Sequence, residues 1–408
     1  LPTKRGEKIV IRIMDYSMSL KGIEYLCFSE TNYNKVIKML GFPNGIILVT
    51  GATGTGKSTT LYSFLQKLNV EGSNLITVED PVEMDIKGVN QVQVNSDIGL
   101  DFATVLRSIL RQDPNIIMIG EIRDSETAQI AVRASITGHL VLSTIHTNNS
   151  LNTIERLLDM DVERYLLASA LTGIVSQKLA RRLCDNCKKK RPVTITEKNL
   201  FKTVLGLDIN EVYEANTSGC PHCSHGYKGR IALQEVLLIS QDIRDAISAG
   251  MRKEQLRHLV YNKDVITMLQ DGLFKVIAGF TTTEEILKQI EVEDEDFGIW
   301  YVDAYDHPDQ YMDKEIEFVA QAFRPKGMKN DMFVPVRKIM TCCAADVRLY
   351  GYPCKIPKVT NIQMQKWYRV RVRYSFEPTE PFAPEQPVLY LMHIEPAEAP
   401  EQDYVYLG

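Results

Sequence analysis

No apolar run in the 408-residue chain approaches the ~20 residues that a membrane-spanning helix needs. That argues against an α-helical integral membrane protein. The chain opens on Leu-Pro-Thr-Lys-Arg-Gly-Glu, with neither the apolar core of a signal peptide nor an initiator Met, so an exported protein is not expected. A large excess of one charge is also lacking. The net charge is -5 and the pI about 5.9, which argues against nucleic-acid binding by bulk charge. No repeat at solenoid period is present. Tryptophan is scarce, and both residues, Trp300 and Trp367, lie late in the chain.

Hydrophobic residues make up 44% and charged residues 24%, as packed globular domains require. At about 150 residues per domain the length suggests two to four domains. Composition shifts near residue 291. Residues 1–290 carry 34 basic and 32 acidic side chains, and residues 291–408 carry 13 and 20. Eleven of the 17 prolines fall after the shift. The acidic run Glu291 to Asp296 reads as a solvated linker, or as an acidic helix end. The expected organisation is a remnant of an N-terminal domain over 1–20 and an α/β core over 21–180. A cysteine module over 181–235, a helical subdomain over 236–292, an acidic linker over 293–298 and a β-rich tail over 299–408 follow.

Within the core, Gly45–Thr50 is a short apolar run typical of a buried parallel strand. Ser58–Leu68 has apolar residues at helical spacing, and Ser29 is placed to cap a helix over Glu30–Leu40. Strands are expected at Lys8–Ile13, Leu75–Val78, Ile116–Ile119 and Leu140–Thr144, with helices at Phe102–Arg111 and Ser125–Ile136. This alternation predicts an α/β sheet. Gln241–Ile290 reads as a small helical bundle. In the tail, Tyr368 to Phe376 alternates apolar residues with Arg369, Arg371 and Arg373, one apolar and one basic strand face. An OB-type barrel is a candidate fold there. Basic-aromatic faces on such barrels bind single strands, but the acidic tail favours a merely solvated face.

Gly51-Ala52-Thr53-Gly54-Thr55-Gly56-Lys57-Ser58, followed by Thr59, matches G-x-x-x-x-G-K-[ST] in full. The glycines let backbone N–H groups turn toward phosphate oxygens, Lys57 supplies charge, and the Ser58 hydroxyl is suited to Mg²⁺. The following helix adds its N-terminus to the same anion. Phosphoryl transfer also needs acids near the metal and the attacking water. Glu79 and Asp80 end the Leu75–Val78 strand, Glu83 follows, and Glu121 comes just past Ile116–Ile119 after Gly120. Singly, each acid is explained by solvation; together at the sheet ends they favour a catalytic role. His139 and His146 bracket the next strand. His146 is placed to sense phosphate, and His139 is read equally well as a buried histidine.

Of eight cysteines, four form Cys184-x-x-Cys187 and Cys220-x-x-Cys223 with 32 residues between the pairs. Two such pairs suit a structural tetrahedral Zn²⁺ site. His222 and His225 are superfluous rivals. Cys342, Cys343 and Cys354 also invite a metal, although vicinal cysteines rarely ligate one ion together.

Over residues 1–290 the chain resembles the ATPases of type II secretion and type IV pilus assembly. GATGTGKSTTLY is similar to their Walker A and ITVEDPVE (76–83) to their Asp box. LRSILRQDPNIIMIGEIRD (106–124) is similar to their Walker B, in which Gly replaces the usual Asp as Gly120 does here. TGHLVLSTIHTN (137–148) is similar to their His box, and QKLARRLCDNCK and GYKGRIALQEVL to the flanks of their metal module. The resemblance implies a RecA-like P-loop core that uses ATP, Mg²⁺ and Zn²⁺. Glu121 would be catalytic base or metal-linked acid, Glu79 and Asp80 would order water and Mg²⁺, and His139 and His146 would form the His box. Arg107, Arg111 and Arg123 also match family positions, and a solvated helix face explains them nearly as well. Arg12 would reach the γ-phosphate on domain closure, with its partner arginine upstream of Leu1; such a finger is worth ~10³–10⁵ in rate. A cytoplasmic homo-hexamer is implied, peripheral to the bacterial inner membrane, docked on a platform protein and binding no nucleic acid.

MTCCAAD (340–346) and the closing PEQDYVY are similar to the C-terminal domain of uncharacterised bacterial permease-associated proteins, which implies no activity. The leading expectation is therefore an ATP-hydrolysing motor subunit. The alternatives are a DNA-translocating conjugation-type ATPase, or a truncated nucleotide-binding fragment fused to an interaction module.

Overall fold

The computed structural model describes residues 2–3, 6–7, 22–147, 149–261, 264–289, 297–306, 308–325, 327–329, 331–340, 348–356, 362–378, 385–400 and 404–406. Arg12 with the whole expected Lys8–Ile13 strand, the acids 293–296 and the Cys342–Cys343 pair lie outside them. Two compact units divide the chain. Unit 1 takes Leu1–Cys184 and Gly219–Lys275, and unit 2 takes Asp185–Ser218 and Val276–Gly408.

The elements, in chain order, begin with the ribbon strands β1 (Pro2–Thr3) and β2 (Gly6–Glu7). Then come α1 (Glu30–Leu40), β3 (Gly45–Thr50), α2 (Lys57–Leu68), β4 (Leu75–Glu79), β5 (Asn90–Gln93), α3 (Phe102–Ile109) and β6 (Ile116–Ile119). Next are α4 (Ser125–Ile136), β7 (Leu140–Ile145), α5 (Ser150–Asp159), α6 (Arg164–Ala170) and β8 (Leu171–Leu183). Then follow β9 (Lys189–Pro192), α7 (Ile195–Leu205), β10 (Glu211–Glu214), β11 (Tyr227–Leu238), α8 (Gln241–Ser248), α9 (Lys253–Val260), α10 (Met268–Ile277) and α11 (Thr283–Gln289). The last stretch holds α12 (Phe297–Asp306), α13 (Pro308–Tyr311), β12 (Glu315–Phe323), β13 (Met332–Met340), β14 (Arg348–Tyr350), β15 (Cys354–Lys355), β16 (Trp367–Pro378), β17 (Glu385–Pro396) and β18 (Tyr404–Tyr406).

Unit 1 is built on a seven-stranded sheet ordered β11-β8-β3-β7-β6-β4-β5. Its pairs are parallel except β8 with β11. The apolar run of β3 is buried at every position, and its side chains alternate between two cores. Ile46 and Leu48 join the face covered by α3 to α6, and Ile47 and Val49 join the face covered by α1 and α2. A strand sandwiched this way has no polar face, which is why it reads as continuous Ile-Ile-Leu-Val. Side-chain caps start the flanking helices: Asp101 accepts from the Thr104 N–H at 2.7 Å and Asp124 from the Thr127 N–H at 2.8 Å. Each cap contributes about 1 kcal/mol.

Two expectations change. Ile243, Ala246, Ile247, Leu256 and Val260 of α8 and α9 pack into the same core as β6 and β7, so this part of 236–292 is a layer of the α/β core rather than a separate bundle. The stretch 181–235 is likewise not self-contained. β8 and β11 are strands of the main sheet, while β9, α7 and β10 fall in unit 2.

The outer edge of β11 is closed by side chains instead of another strand. The Asn32 Nδ2 donates to the Gln234 carbonyl at 3.1 Å, Lys35 Nζ to Val236 at 3.4 Å, and Lys275 Nζ to Ala232 at 2.6 Å. The Gln234 N–H donates to Asp271 at 2.8 Å. Such capping blocks strand addition at a sheet edge.

In unit 2, β12, β16, β17, β15 and β13 close into a ring, because β12 pairs with both β16 and β13. β15 and β17 run parallel. Counted in chain order, the ring reads 1-2-3-5-4-1, a five-stranded barrel of OB type. Val370, Val372 and Tyr374 point into it, buried, as the alternation of β16 predicts. Helix α12 adds Phe297, Trp300 and Ala304 to the same core, so Phe297 is a packed residue inside the stretch expected to be linker. Outside, Arg369 pairs with Glu317 and Glu395 and Arg371 with Glu317, which offsets two of the three arginines of the basic strand face, while Arg373 lies over the Tyr390 ring.

Candidate functional site

Four loops leave the carboxyl ends of β3, β4, β6 and β7, where ligands of open α/β sheets gather. They open on a cavity of about 1120 Å³ whose wall includes Gly56, Lys57, Asp80, Glu121 and His146.

The loop after β3 is the sequence-predicted P-loop. Gly51 has φ +149°, and a Cβ there would stand 2.4 Å from the Gln177 carbonyl, so no side chain fits. Gly54 and Gly56 have φ +84° and +87°, the left-handed region that favours glycine. Thr53, Gly54, Thr55, Gly56, Lys57, Ser58 and Thr59 line the cavity, while Gly51 is buried and Ala52 exposed at the loop base. Lys57 Nζ donates to the carbonyls of Gly51 at 2.7 Å and Ala52 at 3.0 Å. Burial lowers its pKa, opposed by the nearby Glu121 carboxylate.

The acids divide into two kinds. Glu79 is buried. It accepts from Thr77 Oγ1 at 2.6 Å and Gln91 Nε2 at 3.0 Å on one oxygen, and from the Tyr62 hydroxyl at 2.5 Å on the other. Burial, then the Glu79 carboxylate, raise the Tyr62 pKa. Asp80 is exposed at the mouth. Glu121 Oε1 meets His146 Nε2 at 2.8 Å and its Oε2 meets Arg123 at 2.8 Å, while Arg123 also reaches Asp80 at 3.8 Å. Gly120 allows β6 to end against β4, since a Cβ there would press on the Val78 carbonyl at 3.3 Å.

His139 is not brought to this site. It precedes β7, about 20 Å of strand away from His146, and its Nδ1 lies 2.9 Å from the Ala134 carbonyl. The ring is half-buried against the last turn of α4, away from the cavity.

Two residues read from sequence, Glu83 and Arg123, find partners here, and one that was not singled out, Gln177, joins them. Ser58 Oγ donates to Glu83 at 3.3 Å. Arg123 bridges the acids. Gln177 on β8 pins the P-loop from below, donating to the Thr55 carbonyl at 2.8 Å and accepting from Thr60 Oγ1 at 2.9 Å. A glutamine closely following the Ile174-Val175 pair was the available signal for the last.

The four cysteines of the two pairs have their sulfurs within 4.8 Å of one another. Sγ of Cys184 lies 3.7 Å from that of Cys220, and Cys220 lies 3.5 Å from Cys223. A tetrahedron with Zn–S bonds of 2.3 Å needs about 3.8 Å between sulfurs. Cys184, Cys187, Cys220 and Cys223 therefore fit Zn²⁺, and His222 and His225 are not in the group.

A P-loop between strand and helix, on a parallel sheet with acids at the neighbouring strand ends, defines a RecA-like P-loop NTPase fold. The family model for type II/IV secretion system proteins matches residues 1–288, and the chain belongs to that family. The model for the DUF1980 C-terminal domain matches residues 276–407. The type II secretion system protein E of Pectobacterium carotovorum subsp. carotovorum is 45% identical over 294 residues, 72% of this chain and 58% of that protein. The type IV pilus assembly ATPase PilB of Thermus thermophilus is 44% identical, over 70% of this chain and 32% of its own. The ADP-bound pilus retraction motor PilT is a structural neighbour at TM-score 0.50 and 30% identity, covering 66% of this chain and 67% of its own. The chain thus spans little more than half the length of several curated relatives that it matches. Among the described residues no helix is long and apolar enough to cross a membrane.

Proposed function

We propose that unit 1 binds and hydrolyses ATP as a motor subunit of a type II secretion or type IV pilus assembly machine. The supporting observation is Glu121, held between His146 and Arg123 on the wall that also carries Lys57. In this reading the N–H groups of Gly51 to Thr59 cradle the phosphates. Lys57 gives up its loop carbonyls to meet the β- and γ-phosphates. Ser58 and Glu83 hold Mg²⁺, which neutralises phosphate charge when bound. Glu121 takes the proton of the attacking water, with His146 and Arg123 fixing its two oxygens. Asp80 orders water at the mouth. Glu79, with both oxygens engaged, positions α2 through Tyr62 instead of touching the reacting atoms. Arg12 keeps the role of γ-phosphate finger.

The assembly we propose is a homo-hexamer in the cytoplasm, peripheral to the inner membrane and docked on a platform protein, with no nucleic-acid partner. The four cysteines hold a structural Zn²⁺. No activity is assigned to the barrel of unit 2. Phosphate release from ATP by the full chain, compared with Lys57→Ala and Glu121→Gln, tests the reading. It stands if both substitutions abolish turnover and only the first abolishes binding.

A further inference from the structure

The capped edge of β11 has a gap, and the gap lies in the nucleotide cavity. Gln234 turns both its N–H and its C=O outward, to Asp271 and Asn32, and the Ala232 carbonyl also points outward, to Lys275. Strand backbone repeats every two residues. The N–H of Ala232 and the C=O of Arg230 therefore lie on the same outer edge. The pairing with β8 is regular from Arg230↔Arg181 onward, so no bulge breaks that phase. Among the described residues nothing caps these two groups. Gly229, Arg230, Ile231 and Ala232 line the cavity that the P-loop also lines, and Leu26, Leu61 and Leu179 supply apolar wall.

We propose that this bare edge reads the nucleobase. The Arg230 carbonyl accepts from the exocyclic amino group of adenine and the Ala232 N–H donates to adenine N1. The spacing suits the chemistry, because C=O of residue i and N–H of residue i+2 on an extended strand form an adjacent acceptor and donor. Adenine presents a donor and an acceptor at N6 and N1. Guanine presents the opposite order at O6 and N1–H, so two favourable contacts become an acceptor facing an acceptor and a donor facing a donor. The side chains at 230 and 232 are not the readers, so the specificity is written in backbone. The inference rests on the reading that the cavity holds a nucleoside phosphate.

The test is a competition-binding series on the full chain with ADP, GDP, N6,N6-dimethyl-ADP and inorganic tripolyphosphate. ADP should bind roughly 10- to 100-fold more tightly than GDP, and the dimethyl analogue should lose a similar factor. Ala232→Pro removes an outward N–H, a position where an edge strand tolerates proline. It should bring ADP down toward GDP and leave tripolyphosphate unchanged. Equal binding of ADP, GDP and the dimethyl analogue overturns the proposal while leaving the phosphate site intact. Binding of neither ADP nor tripolyphosphate overturns the nucleotide reading itself. If the proline variant does not fold, the analogue series on the unmodified chain decides.

Discussion

Nε2 of His146 stands 2.8 Å from Oε1 of Glu121, across the neighbouring carboxyl ends of β7 and β6. The contact ties the proton acceptor proposed for hydrolysis to the next strand of the sheet. Replacing His146 by Ala frees that oxygen without touching the P-loop. Turnover should fall roughly 10²-fold, the lower range for a group acting in proton transfer. ATP affinity should change little. A paired measurement of kcat and nucleotide Kd separates the two, and a loss confined to Kd contradicts the assignment.

Lys57→Ala should weaken nucleotide binding by roughly 100-fold or more, because charge-assisted bonds to phosphate are among the strong ones. Titration calorimetry with ADP reads this directly. Unchanged affinity removes the P-loop assignment.

Gln177 offers a second, independent handle on the same loop. Gln177→Ala leaves the Thr55 carbonyl and Thr60 hydroxyl without the partners they now have. Unsatisfied buried groups cost about 1–3 kcal/mol. The variant should melt earlier than the parent and bind nucleotide more weakly, whereas a shift in melting alone would make Gln177 structural only.

How much of this was readable beforehand differs by residue. The P-loop was fully readable, since its glycines sit where backbone geometry excludes side chains, as at Gly51. Glu79 and Asp80 are adjacent acids in the sequence, yet one is buried with three hydrogen bonds and the other is exposed. Glu79 is the last residue of β4, every position of which is buried, and Asp80 is the first beyond it, a boundary that the sequence does not mark. His139 and His146 form a symmetrical pair around one strand in the sequence, but only the carboxyl end of that strand faces the cavity. The expected module boundaries failed for a further reason. β8 and β11 are separated by 43 residues, and their antiparallel pairing from Arg181↔Arg230 to Gly173↔Leu238 has no mark in the sequence. The barrel was read from one alternating strand, and its closure depends on three residue pairs between β12 and β13.

One Zn²⁺ per chain should be found by elemental analysis of protein purified without chelator. Cys220→Ser should lose the metal and lower the melting temperature, since metal held in such sites contributes directly to folding. Full-length protein with no zinc and four titratable free thiols at these positions contradicts the assignment.

Lys355 holds the Glu377 carboxyl below its usual value, helped by the Tyr390 hydroxyl, and its own pKa is raised by the same contact. The depressed carboxylate contributes stability above the ordinary carboxylate range that is lost as pH falls through its folded value. The raised lysine contributes stability below its ordinary value that is lost at higher pH. Both groups are partly exposed, so the effect is at most about 1 kcal/mol. Glu377→Gln should flatten the acid limb of a denaturation series by that amount, and an unchanged limb shows that the pair is inert.

The most direct test of the account is γ-phosphate release by the full chain and by Glu121→Gln, with ATP binding measured on the same samples. The amide keeps the shape of the side chain and cannot take a proton. The account predicts that Glu121→Gln binds ATP within a few-fold of the parent and releases phosphate at least ~10²-fold more slowly. Near-parental release by Glu121→Gln would contradict it and move the proton transfer to another acid of the cavity.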